Sequence, residues 1–457
     1  MRPEDALRIA LLVYRGKEHC GGQGVYTRHL SKALVDLGHH VEVFSGPPYP
    51  ELDERVPLHR LQSLDLYREP DPFRIPKPRE FHDLIDVREF ALMCTAGFPE
   101  PYTFSLRARR ALAARRHDFD VVHDNQSLGT GLLAIQAPRP EGLGIPVLGT
   151  IHHPITIDRR VEIAHATTLR RKLTLRRWYG FTRMQSRVAR LLPRIITVSA
   201  SSFGDIVADH GVRPEQLRVV NVGVDPAQFR PLPHVARVPG RLMTTSSSDV
   251  PMKGLVHLLE ALAKVRTERP DVELVVIGKP TPGGSVLRAV DRLGLTDAVR
   301  FVSGVSDERL VELYAESELA VVPSLYEGFS LPAVEAMATG IPLLATTGGA
   351  IPEVVGSDGT TAALVPPGDA GALATAILEL LADPARRARI GEAGRLRVAD
   401  RYSWIAAAEA TVAQYREVIA LHAGTPGMGA AVPAKESTDD VDAIASTDVT
   451  AGGTPSC

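Results

Sequence analysis

Strand-length apolar runs recur along this chain with helical segments between them, and that alternation limits the fold more than any other feature. A first series holds Arg8–Tyr14, Val41–Phe44, Asp120–His123, Pro146–His152, Arg194–Ser199 and Leu217–Asn221. A second series starts afresh near Gly240 and holds Val272–Gly278, Val299–Gly304, Leu319–Pro323 and Ile341–Ala345. Strands that alternate with helices build parallel sheets. Between the series lies Arg230-Pro231-Leu232-Pro233-His234, a proline-rich stretch suited to a linker. The expected class is therefore α/β, with two Rossmann-like, doubly wound domains (1–232 and 233–402) facing across a cleft. A helix over 403–423 follows. The segment 424–457 is rich in Gly, Ala, Ser, Thr and acidic residues without periodicity, and is expected to be disordered.

A length of 457 residues exceeds one ordinary core, which agrees with two domains. With 44% hydrophobic and 23% charged residues the composition is that of a soluble globular protein. A formal charge of −2 gives no general attraction to nucleic acid, and none is expected as a partner. Cys20, Cys94 and Cys457 have no metal-ligand spacing and suit a reducing compartment. The first residues lead straight into a strand without the pattern of a signal peptide, and no apolar run approaches the ~20 residues that span a bilayer. The expected location is cytoplasmic.

Two carboxylates, Glu327 and Glu335, flank a Gly-containing turn that follows the apolar run Leu319–Pro323. Ala333 to Met337 reads as helix, with Ser330 as its N-cap and Pro332 in the first turn. Unpaired N–H groups at such a helix start favour an anion, a pyrophosphate above all. Carboxylates placed there can accept hydrogen bonds from ribose or hexose hydroxyls. The plainer reading has Glu327 capping a turn and Glu335 on a solvated helix face.

The segments around these residues resemble those of retaining glycosyltransferases of family 4, the glycosyl transferases group 1, which have the GT-B architecture. The resemblance rests on Val299–Gly304, Pro323–Pro332, Glu335–Gly340, Gly348–Val355 and Leu364–Asp369. Weaker matches fall at Gly21-Gly22, Gly38-His39, Val122-His123, Thr150-Ile151-His152, Val198-Ser199 and Asn221–Asp225. The resemblance implies a nucleotide-diphosphate sugar as donor, an acceptor hydroxyl, and no metal. It implies that Glu335 holds the ribose and Glu327 the donor sugar, with the backbone of Gly328, Phe329, Ser330 and Leu331 near sugar and phosphates. Gly304, within Phe301–Val305, would lie along the base. Lys253 would neutralise the pyrophosphate, and Gly21 and Gly22 would let backbone approach donor and acceptor. His152 would sit at the sugar near the reacting centre. The 403–423 helix would pack back on the first domain.

One departure stands out. The family carries a Gly-Arg pair shortly before the Lys-Gly pair, and here Ser247-Ser248 take its place. Serine hydroxyls can donate to phosphate but lack the charge that makes such bonds roughly twice as strong. Lys279 is a candidate substitute. A nucleotide-sugar 2-epimerase of the same architecture, a sugar phosphorylase, and a transferase weakened to a binding protein are the alternatives.

Other signals carry less. Asp118-Phe119-Asp120 spells a metal-binding pattern of another fold but reads as an ordinary turn before a strand. His123 and His153 follow strands toward the expected cleft, where a ligand contact and a plain polar loop remain open. Segment 159–194 is basic with Glu162 as its lone acid, and Leu169, Leu173, Trp178, Tyr179 and Phe181 are interspersed. Such a stretch could lie on an anionic membrane at the inner face of the plasma membrane, or simply cover the first domain with solvated arginines.

Overall fold

Residues 5–16, 22–68, 71–246 and 250–424 are described by the computed structural model. Gly21, Ser247, Ser248 and the expected tail over 425–457 lie outside the described residues.

The first sheet is formed by β1 (Arg8–Val13), β2 (His40–Ser45), β3 (Leu58–Arg60), β4 (Val121–Asn125), β5 (Val147–Ile151), β6 (Arg194–Thr197) and β7 (Leu217–Val219). Its order is β3-β2-β1-β4-β5-β6-β7, with every pairing parallel. The second sheet contains β8 (Arg241–Thr245), β9 (Glu273–Ile277), β10 (Val299–Val302), β11 (Leu319–Val322), β12 (Leu343–Thr346) and β13 (Ala363–Val365). Its order is β10-β9-β8-β11-β12-β13, again parallel throughout. Both sheets thus reverse their winding once, at β1|β4 and at β8|β11, and α/β ligands bind beyond the carboxyl ends of strands at such points.

Register fixes what stands at those ends. Val13, Asn125, Thr150 and Ile196 are aligned neighbours, so the residues after β1, β4, β5 and β6 line one rim. Thr245, Ile277 and Val302 align in the second sheet, as do Val322 and Ala345. The central strands are buried along their whole length, as sheets covered on both faces require.

The Gly22–Asp36 helix buries Tyr26, Leu30, Ala33 and Leu34, one stripe at helical spacing, against the first sheet. The Trp404–Ala423 helix returns from the second domain and packs on it: Trp404 stacks on His29 at 5.2 Å and meets Tyr26 at 5.8 Å. One apolar cluster consequently runs from Ile9 and Leu11 through Tyr415 to Ala333 and Met337. Among the described residues no helix is long and apolar enough to cross a membrane.

Candidate functional site

The switch point of the second sheet brings two loops together. The loop after β8 leads to Lys253, and the loop after β11 carries Ser324 to Ser330. Leu325 N donates to Met252 O at 2.7 Å, stitching one loop to the other. Gly254 lies at φ 65°, and a Cβ there would come within 2.0 Å of Pro323 O, so only glycine permits this approach. The result is an ion pair. Lys253 Nζ donates to both carboxylate oxygens of Glu327, at 2.8 and 3.1 Å, and Ser324 Oγ donates to Glu327 Oε1 at 2.7 Å. From behind, Ala350 N donates to Glu327 O at 2.9 Å, which is the part played by the Gly348-Gly349 loop.

Glu335 lies one helix turn into the Leu331–Ala338 helix. The Tyr314 hydroxyl donates to its Oε2 at 3.4 Å. Burial pushes the Glu335 carboxyl up to about 7, against the downward pull of that hydrogen bond. It therefore holds a proton over much of the mildly acidic range, and it is not on a solvated face.

Ser330 departs from expectation. It occupies the N-cap position but at φ 87° and ψ 77°, a backbone conformation that keeps its hydroxyl from bonding the helix N–H groups. Its Oγ is buried and without a partner among the described residues, as are the hydroxyls of Thr244 and Ser246 at the end of β8. At the helix start Ala333 N and Val334 N donate to Ser330 O at 3.2 and 3.3 Å and Pro332 has no N–H, so few N–H groups are left there for an anion. Phe329 is buried and packs edge-on against Tyr402 at 5.4 Å, so only its backbone can serve a ligand. Phe301 is partly buried and packs against the apolar cluster of the second domain. Gly304 is exposed on the loop after β10.

Across the cleft, the rim of the first sheet presents His152. Its Nε2 lies 2.6 Å from Asn125 Oδ1. Asn125 Nδ2 donates to Gln23 O at 3.0 Å and Thr27 Oγ1 at 2.9 Å, which fixes the amide and makes Nε2–H the donor to its oxygen. Burial lowers His152 to about 4, so the ring is neutral. Tyr26 packs on it at 4.5 Å. Gly22 is exposed at the start of its helix.

The two walls touch. A Cβ at Gly328 would lie 2.4 Å from His152 O, so glycine is needed where the domains meet. Ser199 Oγ and Ser202 Oγ donate to Gly328 O at 2.6 and 3.2 Å. Tyr326 OH donates to Asp205. Glu353 accepts from Ala200 N and Ser201 N at the start of the Ala200–His210 helix, and Arg28 pairs with Asp307 at 2.9 Å. His153 pairs with Asp158 at 3.0 Å and packs against Tyr326 at 5.2 Å.

His123 does not reach the cleft, because β4 continues two residues past it. It is fully buried, with Nδ1 2.7 Å from Tyr415 OH and Nε2 2.5 Å from Thr150 Oγ1. Asp120 pairs with Arg8, and Asp118 with Arg115. In the basic segment Arg160 pairs with Asp209, Arg194 with Glu417, and Arg177 donates to Thr95, while Leu169 and Leu173 are exposed. Sequence reasoning missed Tyr314 and Ser246 as site residues, and neither gave a signal; Asn125 lies in the polar run after the apolar strand residues that the sequence pointed to the cleft.

Comparison with known proteins completes the picture. Residues 234–397 match the family described as glycosyl transferases group 1, and residues 20–228 match glycosyltransferase family 4. The chain is 55% identical over 415 residues to the MMP alpha-(1->4)-mannosyltransferase of Mycolicibacterium hassiacum, covering 91% of this chain and 99% of that protein. It is 30% identical to a D-inositol 3-phosphate glycosyltransferase of Streptomyces avermitilis, over 89% and 85% of the two chains. Sucrose-phosphate synthase from Thermosynechococcus elongatus superimposes with a TM-score of 0.70 at 25% identity, covering 91% of this chain and all of that one. Anabaena HepE in complex with UDP-glucose shares the fold, with a TM-score of 0.64 at 18% identity over 90% and 99%. Sheet order, site and sequence agree on one assignment: the chain is a glycosyltransferase of family 4, group 1, with the two-domain GT-B architecture.

Proposed function

We propose that this enzyme moves a mannosyl group from a nucleotide-diphosphate mannose to an acceptor hydroxyl, with retention of configuration. The observation that carries the reading is the Lys253–Glu327 pair at the β8|β11 switch point, with protonatable Glu335 behind it. Mannose as the sugar is supported by the 55% identical relative, whose name specifies an alpha linkage. An α product from an α-configured nucleotide mannose is retention. A nucleotide donor is supported by the fold neighbour solved with UDP-glucose.

Departure of the sugar leaves negative charge on a diphosphate. In this reading Lys253 Nζ and the Ser330 and Ser246 hydroxyls stabilise it, without a call on a metal. Glu327 orients the sugar through the carboxylate edge it shares with Lys253, and Glu335 holds the ribose. His152, neutral and steadied by Asn125, faces the sugar from the other wall. Its carbonyl and Gly328 meet where the reacting atoms must be enclosed, so closure excludes water from the oxocarbenium-like transition state.

The test is transfer itself. The protein is incubated with GDP-, UDP- and ADP-mannose and a neutral α-mannoside, with and without EDTA, and the product is identified by mass and anomeric coupling. One donor is expected to give an α-linked product at a rate EDTA leaves unchanged. Donor binding without transfer would favour a binding protein, and a β product would contradict retention.

A further inference from the structure

Two consecutive residues hold His152, and each takes a different part of it. Asn125, the last residue of β4, accepts from the ring Nε2–H through its Oδ1 at 2.6 Å. Gln126 takes the main chain: its Oε1 accepts from His152 N at 2.8 Å, and its Nε2 donates to His153 O at 2.6 Å. The Gln126 amide thus stands in for a further rung of the sheet, beyond the last β4–β5 pair, Asn125 and Thr150.

In a regular strand the side chain after Asn125 would point to the opposite face, away from His152. The backbone avoids this at Gln126, which lies at φ 60°, in the left-handed region that residues other than glycine seldom adopt. Gln126 is only 5% exposed, and its carbonyl accepts from Gln185 Nε2 of the Phe181–Leu191 helix at 3.2 Å, which holds the turn. Strain of this kind persists where the surroundings over-determine it, and it collects at functional sites. Asn125 cannot turn its amide over, because Nδ2 already donates to Gln23 O and Thr27 Oγ1. The ring proton is therefore fixed on Nε2, and Nδ1 carries a lone pair. His152 is partly buried at the rim, and Nδ1 has no hydrogen-bond partner among the described residues.

We propose that Asn125 and Gln126 are positioning residues that present His152 Nδ1 as a hydrogen-bond acceptor to a hydroxyl of the bound sugar. The proposal deepens the transferase reading above and rests on it. An acceptor lone pair suits a sugar that gains positive charge as the diphosphate leaves, whereas an imidazolium would oppose that charge. It also tells hydroxyls from ring and phosphate oxygens, which have no proton to donate.

The test changes the proton on the ring while keeping the ring. Asn125→Asp sets a carboxylate against Nε2 and favours the imidazolium, which turns Nδ1 into a donor. Around the ring, burial lowers His123 to about 3 and raises the Tyr26 and Tyr326 hydroxyls. His153 is paired with Asp158, Glu327 with Lys253, and Asp205 accepts from Tyr326. Asp124, which accepts from Ser127 and Leu128, is raised by burial to about 6, and Glu335 to about 7. Each variant is therefore compared with wild type at the same pH.

Transfer from a mixture of GDP-, UDP- and ADP-mannose to 4-nitrophenyl α-mannopyranoside is followed at pH 6 and pH 9. Asn125→Asp should have a kcat roughly tenfold or more below wild type at pH 6 and within about threefold of it at pH 9. Gln126→Ala leaves the ring proton alone, so it should lose roughly fivefold or more in kcat equally at both pH values, with the donor KM within about twofold. Two-bond proton–nitrogen spectra of the 15N-histidine-labelled wild type give the tautomer directly, the His152 signal being the one lost in His152→Gln. They should show Nε2 protonated and Nδ1 bare from pH 6 to pH 8, a readout that depends neither on turnover nor on the folding of Asn125→Asp. A proton on Nδ1, an Asn125→Asp deficit that is the same at both pH values, or wild-type kcat in Gln126→Ala would overturn the proposal. A wild type that carries the proton on Nε2 yet transfers to no mannoside would instead strike at the transferase reading.

Discussion

Lys253 and Glu327 hold each other in a partly exposed pair, and exposed ion pairs contribute little to stability. Their value is positional. Lys253→Ala is expected to lower kcat roughly 10²–10³-fold, the scale of losing one charge-stabilising group, while the melting temperature moves little. A kcat within threefold of wild type, measured with a donor that supports wild-type transfer, would remove Lys253 from the leaving-group role. Glu335 allows a test by pH. Its carboxyl titrates near 4.5 when unfolded and near 7 when folded, so the folded protein keeps a proton that the unfolded chain gives up between those values. The stability it contributes is full below about 4.5 and is lost as pH rises to about 7. Glu335→Gln should therefore melt close to wild type at pH 4.5 and above it at pH 8, by an amount on the order of 2–3 kcal/mol. A difference flat with pH would contradict this account of its burial.

At the scale of elements, the strands were legible because central parallel strands are apolar along their length. The short β3, Leu58-His59-Arg60, was not, since an edge strand with polar residues looks like loop, and neither were β8 and the short edge strand β13. Ser330 was misread because sequence gives the residue type of a cap but not its φ, and at 87° the serine cannot cap. His123 stood open between a ligand contact and a strand-end loop because polarity there resembled a strand end, whereas Asp124 and Asn125 prolong the strand. Tyr314 left no trace, being one aromatic on the buried face of the Asp307–Glu316 helix among Val311 and Leu313. His123 instead ties the Trp404–Ala423 helix to the first sheet through the Tyr415 hydroxyl. Tyr415→Phe leaves His123 Nδ1 buried and unpaired and should cost about 1–3 kcal/mol. Denaturant unfolding checks this, and kcat should stay within twofold. An unchanged midpoint would mean that the bond is dispensable to the docking of the helix.

Over the whole molecule, the donor wall and the acceptor wall are joined by a handful of polar contacts around Gly328, Tyr326, Glu353 and Asp307. Loops and domains that close over a substrate assemble the site and expel water, so these contacts belong to the reactive arrangement. Gly328→Ala forces a Cβ onto His152 O and should reduce kcat at least tenfold while the melting temperature of the free protein changes by only a few degrees. Wild-type turnover in that variant would show that the walls need not meet for transfer. The two-domain architecture and the donor wall could be read from the chain because their residues lie in short contiguous stretches. The wall across the cleft draws His152, Asn125 and Tyr26 from distant segments, and only the fold brings them together.

The most direct measurement is the thermal shift of the wild-type protein and Lys253→Ala with GDP-, UDP- and ADP-mannose. At a free ligand concentration near 100 Kd, binding stabilises the folded state by roughly 2.7 kcal/mol. One nucleotide mannose should raise the wild-type midpoint by several degrees and raise that of Lys253→Ala clearly less at the same concentration. No shift with any of the three at saturating concentration, or an equal shift in the variant, would contradict a donor site built on Lys253 and Glu327.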